Sequence, residues 1–514
     1  MKFKRSSGIL LHPTSLPGSY GIGDLGPQAY QWVDFLSASG CSLWQILPLG
    51  PTGYGDSPYQ CFSAFAGNPY LVSPDLLLED GLLFPRDLPP MPEFPADRVD
   101  FGAVIPWKLE ILNKAFNQFQ RLESTGIQKE FDSFCEDHAF WLDDFALFMA
   151  LKETYGGGPW VKWPASLRER SPKALKRARK ALSTPILSQM FYQFLFFRQW
   201  KALRTYTSSK NIQIIGDIPI FVAHDSAEVW SQPELFYLNK KGNPTVVAGV
   251  PPDYFSKTGQ LWGNPLYNWE IHARNDFAWW IQRIRAVLDL VDIIRLDHFR
   301  GFAGYWEVPA REKTAVKGRW VNGPGESFFE VVSVPFGDLP IIAEDLGEIT
   351  PDVVAMRDRF DLPGMKIVQF AFHGDPDEPF LPHNHVSNCI VYTGTHDNDT
   401  TRGWYERVPE KEKDFYRRYL GRDGHDVAWD MIRAAWMSVG VFAITPMQDL
   451  LSLDNTARMN YPGNPSGNWS WRMDEDQMNN FLSARLRDFN LLYGRMNPFF
   501  VQETEEPLGE EPAA

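Results

Sequence analysis

Eight short apolar runs, separated by much longer segments, leave this chain few ways to fold. They are Gly8–Leu11, Ser42–Leu47, Ile212–Ile215, Asp292–Leu296, Leu339–Ala343, Met365–Phe370, Cys389–Tyr392 and Val441–Ile444. Aliphatic and β-branched residues without polar alternation read as strands buried on both faces, as in a parallel sheet. Amphipathic stretches of helical period lie between several of them, including Ala29–Ser37, Trp279–Leu288, Pro351–Arg359 and Ala428–Met437. Eight strands alternating with helices predict an α/β fold, a (β/α)8 TIM barrel, whose functional side chains stand at the C-terminal ends of the strands.

Uneven spacing supplies the domain plan. About 160 residues separate the second run from the third, far more than a single crossover connection needs. They begin with a glycine-rich segment at Gly50–Gly55, pass a proline-rich stretch from Pro85 to Pro106, and then carry helical patterns to Thr207. The barrel is therefore assigned to residues 1–50 and 208–502, and a mainly helical insertion subdomain to 51–207. A second excursion, about 223–279, concentrates Gly, Pro and aromatic residues in Val250–Pro265, which suits a structured loop beside a cleft. Beyond the last run too little chain remains for a C-terminal β-sandwich domain. A helix around Met478–Tyr493 uses part of it, and residues 503–514 read as a disordered acidic tail.

A net charge of −14 argues against nucleic acid or an anionic membrane as partner and is compatible with a neutral substrate. The basic cluster Lys173, Lys176, Arg177, Arg179 and Lys180 recurs at helical spacing and reads as a solvated helix face. Cys41, Cys61, Cys135 and Cys389 are far apart and form no C-x-x-C pair, which predicts reduced thiols in a cytoplasmic protein. No run approaches the roughly 20 apolar residues of a membrane span, and Gly8–Leu11 is too short for a signal-peptide core. The 19 Trp and 37 Phe exceed what a core needs, and aromatic faces pack on the C–H faces of sugars as readily as on each other.

Three of the strand ends carry carboxylates: Asp297 after Asp292–Leu296, Glu344 after Leu339–Ala343, and Asp397 after Cys389–Tyr392. Retaining cleavage of a glycosidic bond needs one carboxylate as nucleophile and one carboxylic acid about 5–5.5 Å away to protonate the leaving oxygen. A third can bind ring hydroxyls and favour the positively charged transition state. Residues two apart on a strand share a face, so Arg295 should point with Asp297 and hold it ionised. Glu344 has no cationic neighbour in sequence and follows an aliphatic run, so desolvation beside Asp297 should raise its pKa, as an acid requires. Asp345 and Asp399 have a simpler reading as caps of the helices that follow. Metal chemistry has little support, because the one His-x-His, His383-Asn384-His385, precedes a strand and should lie at the opposite end of the barrel. No cofactor is required.

Several long motifs go further than any single acid. They are Gly53-Tyr54-Gly55-Asp56-Ser57-Pro58-Tyr59-Gln60, Gly216-Asp217-Ile218-Pro219-Ile220, the Asp253–Pro265 loop, Arg295-Leu296-Asp297-His298-Phe299-Arg300-Gly301, Ala343-Glu344-Asp345-Leu346-Gly347 and Gly394-Thr395-His396-Asp397-Asn398-Asp399-Thr400. With them the chain resembles, over nearly its whole length, the 4-α-glucanotransferases of glycoside hydrolase family 77, the amylomaltases or disproportionating enzymes. The resemblance implies Asp297 as nucleophile, Glu344 as general acid and base, and Asp397 as transition-state stabiliser. It implies that Arg295, His298, His396 and Asp217 contact the nucleophile or the reacting sugar. Ser57, Tyr59, Asp253, Gln260 and Trp262 would line neighbouring glucose subsites, Tyr254 and Phe255 would cover the bound chain, and Tyr54 would belong to a second glucan site. The implied partners are α-1,4-glucans and maltooligosaccharides, with glucose as an acceptor. An α-1,4-glucan hydrolase with the same acids, or an inactive glucan-binding protein, are the readings that compete.

Overall fold

The computed structural model describes residues 3–122, 126–252, 256–464 and 466–499, Tyr54 among them through its backbone alone. Eight parallel strands form one sheet: β1 Ser6–Leu10, β2 Leu43–Gln45, β3 Gln213–Ile218, β4 Ile293–Leu296, β5 Ile341–Ala343, β6 Gly364–Ile367, β7 Cys389–Tyr392 and β8 Phe442–Pro446. Each overlaps one of the eight apolar runs. They pair in the order β6, β7, β8, β1, β2, β3, β4, β5, and the two ends meet where the Ala343 N–H donates to Pro363 O at 2.9 Å. The ring is thereby closed into the expected barrel.

Burial explains why these runs become strands. Ile9, Trp44, Ile215, Ile294, Ile342, Ile390 and Ile444 have essentially no exposed surface, so both faces of the sheet are covered. Gly8 allows β1 and β2 to approach, since a Cβ there would lie 2.4 Å from Leu43 O. Helices Pro27–Ala38, Ala278–Leu288, Pro351–Arg359 and Val427–Met437 fall in four of the crossovers, where the amphipathic stretches lie.

Between β2 and β3 the chain forms seven α-helices among the described residues, from Pro74–Glu79 to Ser183–Ser209. The last, 27 residues long, joins two bodies. Its first half packs with the other helices of this segment through Phe191 and Phe194. Its second half lies on the barrel wall, where Trp200 Nε1 donates to Leu290 O and Tyr206 donates to Asp34. A buried ion pair, Lys108 Nζ to Asp24 Oδ2 at 3.0 Å, fastens helix Phe101–Phe119 to the first barrel loop. The basic cluster lies on helix Pro172–Ala181, where Lys173, Lys176, Arg177 and Lys180 are exposed and Arg179 pairs with Asp144.

One feature differs from the sequence expectation. The excursion over 223–279 is more than loop, because Val246–Val250 and Gln260–Pro265 are strands of a second, antiparallel sheet completed by Gly304–Pro309 and Arg319–Asn322. The β3–β4 and β4–β5 connections thus combine into one platform above their strand ends. Its strands are short and interrupted by Gly and Pro, which masks their periodicity. After β8 the described chain forms short helical turns and the helix Asn480–Leu492, with no strand longer than an isolated bridge.

Candidate active site

Strand register brings the first charges together. Asp217 on β3 pairs directly with Arg295 on β4, and the Arg295 guanidinium, 4% exposed, lies between two carboxylates. Its Nη1 donates to Asp217 Oδ2 at 2.6 Å and to Asp297 Oδ1 at 3.0 Å. Tyr59, from the β2–β3 connection, donates its hydroxyl to the same Asp217 Oδ2 at 2.7 Å. The Asp217 side chain has 0% exposure, so it faces Arg295 and Tyr59 and not the mouth of the barrel. Asp297 keeps 28% of its surface and does face the mouth.

Sharing Arg295 has a consequence for Asp297. Burial raises its pKa, Arg295 opposes the rise, and the like charges of Asp217 and Asp397 add to it, leaving Asp297 pushed up to about 6. Arg295 contacts Asp297 as strand periodicity predicts, but burial outweighs its pull, and the one guanidinium is divided between two acids. Asp297 still ionises below neutrality.

Glu344 stands at the end of β5, beside β4 in the ring. Its Oε2 accepts the His298 N–H at 2.8 Å and its Oε1 accepts the Leu346 N–H at 3.1 Å. His298 adopts a left-handed conformation, φ 51°, at this contact, the kind of strained backbone that persists where surrounding contacts enforce it. Burial raises the Glu344 pKa to about 8, with Arg295 and the backbone donors opposing and Asp297 and Asp345 adding to the rise. Asp297 loses its proton first, and Glu344 keeps its own.

Asp397 follows β7, is 44% exposed at the mouth, and is held from both sides. Its Oδ2 lies 3.3 Å from His396 Nε2, and its Oδ1 accepts a 2.6 Å hydrogen bond from Asn460 Nδ2. Burial pushes its pKa up, but His396 and the His396 and Asn460 hydrogen bonds outweigh burial and keep it well below the usual carboxylate range. His396 stacks on Tyr59 with ring centroids 5.2 Å apart, and Trp469 packs against both rings.

The remaining expected residues fall into three groups. Trp262 meets the His298 ring edge-on at 4.8 Å and donates its indole N–H to Gln260 Oε1, so this pair borders the Glu344 side. Ser57 accepts the Tyr59 N–H at 3.2 Å and fixes the turn that presents the phenol. Asp253, Tyr254 and Phe255 lie outside the described residues, as does the side chain of Tyr54. Asp345 and Asp399 are not caps: Asp345 accepts the Met365 N–H and pairs with Arg357, while Asp399 pairs with Arg407 and Arg458. His383 and His385 hydrogen-bond to Tyr419 and to Phe380 O, respectively, away from these acids. Asn460, Arg458 and Trp469 were not legible beforehand, since they belong to a loop after β8 that no strand end announces.

Three carboxylates at the C-terminal ends of parallel barrel strands, one of them held by an arginine that it shares with Asp217, are the arrangement that glycoside chemistry needs. The family model described as 4-alpha-glucanotransferase, glycoside hydrolase family 77, matches residues 11–478. The chain belongs to this family. The 4-alpha-glucanotransferase of Thermus thermophilus is 52% identical over 495 residues, covering 95% of this chain and 98% of the relative. That of Synechocystis sp. is 51% identical over 496 residues, covering 96% and 98%. Among solved structures, the amylomaltase from Streptococcus agalactiae in complex with acarbose is similar with a TM-score of 0.94 at 40% identity, covering 96% of this chain and 100% of that one. For a family 77 chain, the matched segment takes in every acid described above and the 458–469 loop. Among the described residues no helix is long and apolar enough to cross a membrane.

Proposed function

We propose that this protein is a 4-α-glucanotransferase that moves a segment of an α-1,4-glucan to the 4-hydroxyl of an acceptor glucose or glucan by retaining double displacement. One observation carries the assignment of roles: two acids on adjacent strand ends, with Asp297 ionising near 6 and Glu344 near 8. At neutral pH that pair holds one carboxylate anion and one carboxylic acid.

In the first step Asp297 attacks the anomeric carbon of the donor while Glu344 gives its proton to the departing glycosidic oxygen. The C–O bond to the leaving saccharide breaks as the bond to Asp297 forms, giving a covalent glucanosyl-enzyme. In the second step Glu344, now a carboxylate, takes the proton of the acceptor 4-hydroxyl, and the new glycosidic bond displaces Asp297. Asp397, held anionic, binds ring hydroxyls and faces the positive charge that develops on the ring in each step. Arg295 keeps Asp297 oriented, and Asp217 with Tyr59 keeps Arg295 oriented. Trp262 offers an aromatic face to a sugar on the Glu344 side. The substrates are α-1,4-glucans and maltooligosaccharides, with glucose as an acceptor. We place the enzyme in the cytoplasm, in keeping with its four free cysteines.

Incubation of the purified protein with maltotriose alone tests the reading. A ladder of longer maltooligosaccharides together with glucose is expected. Glucose and maltose without longer products would establish a hydrolase instead, and an unchanged substrate on longer donors as well would leave a binding protein.

Transfer exceeds hydrolysis only where water is kept from the intermediate. Tyr254 and Phe255 are assigned that role through the family resemblance. Replacing both with Ala should raise the ratio of released reducing ends to transferred chains by about tenfold, equivalent to roughly 1.4 kcal/mol of lost discrimination. An unchanged ratio would remove them from the account.

A further inference from the structure

We propose that Asn460 is a positioning residue for Asp397, its side-chain amide fixing the carboxylate orientation in which Asp397 meets the reacting ring. The inference rests on the function proposed above and adds a part of the chain to it that no strand end supplies.

Asp397 needs outside support. It sits in the turn after β7, half open to the mouth, where a carboxylate on two rotatable bonds is free to swing unless both oxygens are held. Its two oxygens are held by different elements. The contact from His396 Nε2 to Oδ2 is long, 3.3 Å, whereas that from Asn460 Nδ2 to Oδ1 is short, 2.6 Å. The shorter contact decides the rotamer. Asn460 also fixes the neighbouring backbone, since its own N–H donates to His396 O at 3.1 Å. Two residues earlier, Arg458 Nη2 donates to Asp397 O at 2.5 Å, and the same guanidinium pairs with Asp399.

The loop that carries these groups is itself tied down. Arg458 Nε donates to Asn460 O at 2.8 Å, and its guanidinium lies 4.4 Å from the Tyr461 ring centroid. The Tyr461 N–H donates to Asn468 Oδ1, and the Trp469 N–H donates to Met459 O. Trp469 has a left-handed φ of 64°, unusual for a bulky residue and the kind of local strain that clusters at working sites. It presses its ring on His396 and Tyr59. Arg458, Asn460 and Trp469 thus clasp the His396-Asp397 turn from the side opposite the barrel strands.

The chemistry favours an amide at this place. Asparagine gives a hydrogen bond without a counter-charge, so Asp397 is oriented while its full negative charge remains available to the positive ring. A cation would compete with the ring for it. An aspartate would set two carboxylates against each other and force one to take a proton.

The test compares wild type with Asn460→Ala and Asn460→Asp on maltotriose, with melting temperature followed alongside. A fall in kcat of about 10²-fold for Asn460→Ala, with KM changed less than about threefold, is expected from the loss of one preorganised donor. Asn460→Asp should fall further, although it is nearly isosteric, and both variants should still unfold cooperatively, with Asn460→Asp melting lower because two carboxylates then face each other. A second readout is binding of a maltooligosaccharide analogue with a basic nitrogen in a half-chair ring, which should weaken at least tenfold while maltotriose binding holds. A kcat within threefold of wild type in both variants overturns the proposal. So does a loss expressed wholly in KM, which would make Asn460 a substrate contact. If wild type forms no longer saccharides, the functional reading has failed, and the ratio of the two binding constants still judges Asn460 by itself.

Discussion

Asp297→Asn should abolish transfer from maltotriose, lowering kcat by about four to six orders of magnitude, the scale seen when a covalent nucleophile is removed. The fold should not suffer. In the native site Asp297 adds a third acid to a cluster with Asp217 and Asp397, and its raised pKa reports that repulsion together with burial. Arg295 retains its 2.6 Å contact to Asp217 when the charge is gone, so no buried cation is left unpaired. The melting temperature is therefore expected at or above that of wild type, a trade between stability and function common at active sites. Asp297→Ala supplies the stereochemical check. With an α-glycosyl fluoride donor and azide, the anion can enter from the face that Asp297 vacated, and the product should be the β-glycosyl azide. Transfer within tenfold of wild type, or a melting point lowered by many degrees, would show that Asp297 is a structural partner of Arg295 and not the nucleophile.

Much of this site was legible because a parallel barrel gives sequence a simple code. Apolar runs such as Ile341-Ile342-Ala343 mark strands buried on both faces, and whatever follows them stands at the mouth. Asp297, Glu344 and Asp397 were found that way, as was the Arg295–Asp297 contact, from two-residue strand periodicity. The pKa of Asp297 was not legible. It depends first on burial in the closed barrel and then on Asp217 sharing the same Nη1, a contact between residues 78 positions apart that only the β3–β4 register creates. The second sheet escaped for a related reason. Its strands are contributed by two different connections, and a run such as Tyr305-Trp306-Glu307-Val308 is too short to be told from loop without its partner. Asn460 escaped altogether, because an asparagine in a segment of Pro and Gly has a turn as its first reading. Its role arises from where the loop lands. Local pattern exposes what strand geometry delivers, while groups that act by folding back from elsewhere need the coordinates.

The second large effect separates the two steps of the reaction. Glu344→Gln should lower kcat on maltotriose by about 10³–10⁴-fold, at the upper end of what general acid–base catalysis contributes. A glutamine keeps the carbonyl acceptor for the His298 N–H but carries no acidic proton for the leaving sugar. An α-maltosyl fluoride donor removes that need, since fluoride departs without protonation. Formation of the maltosyl-enzyme should then recover while its breakdown stays slow for want of a base, and a maltosyl adduct should accumulate on Asp297. Azide added at this stage should release the α-glycosyl azide, the opposite anomer to that from Asp297→Ala. The pH profile gives an independent sign. Wild-type activity requires Asp297 deprotonated and Glu344 protonated, so it should rise through about 6 and fall through about 8. The two limbs belong to the interacting pair, but only the basic one needs the Glu344 proton. In Glu344→Gln the basic limb should vanish and the acidic limb persist near 6, because Glu344 is already uncharged where Asp297 ionises. Equal losses on maltotriose and on the fluoride, with both limbs intact, would take Glu344 out of the proton transfer and leave it as a ligand for the His298 and Leu346 amides.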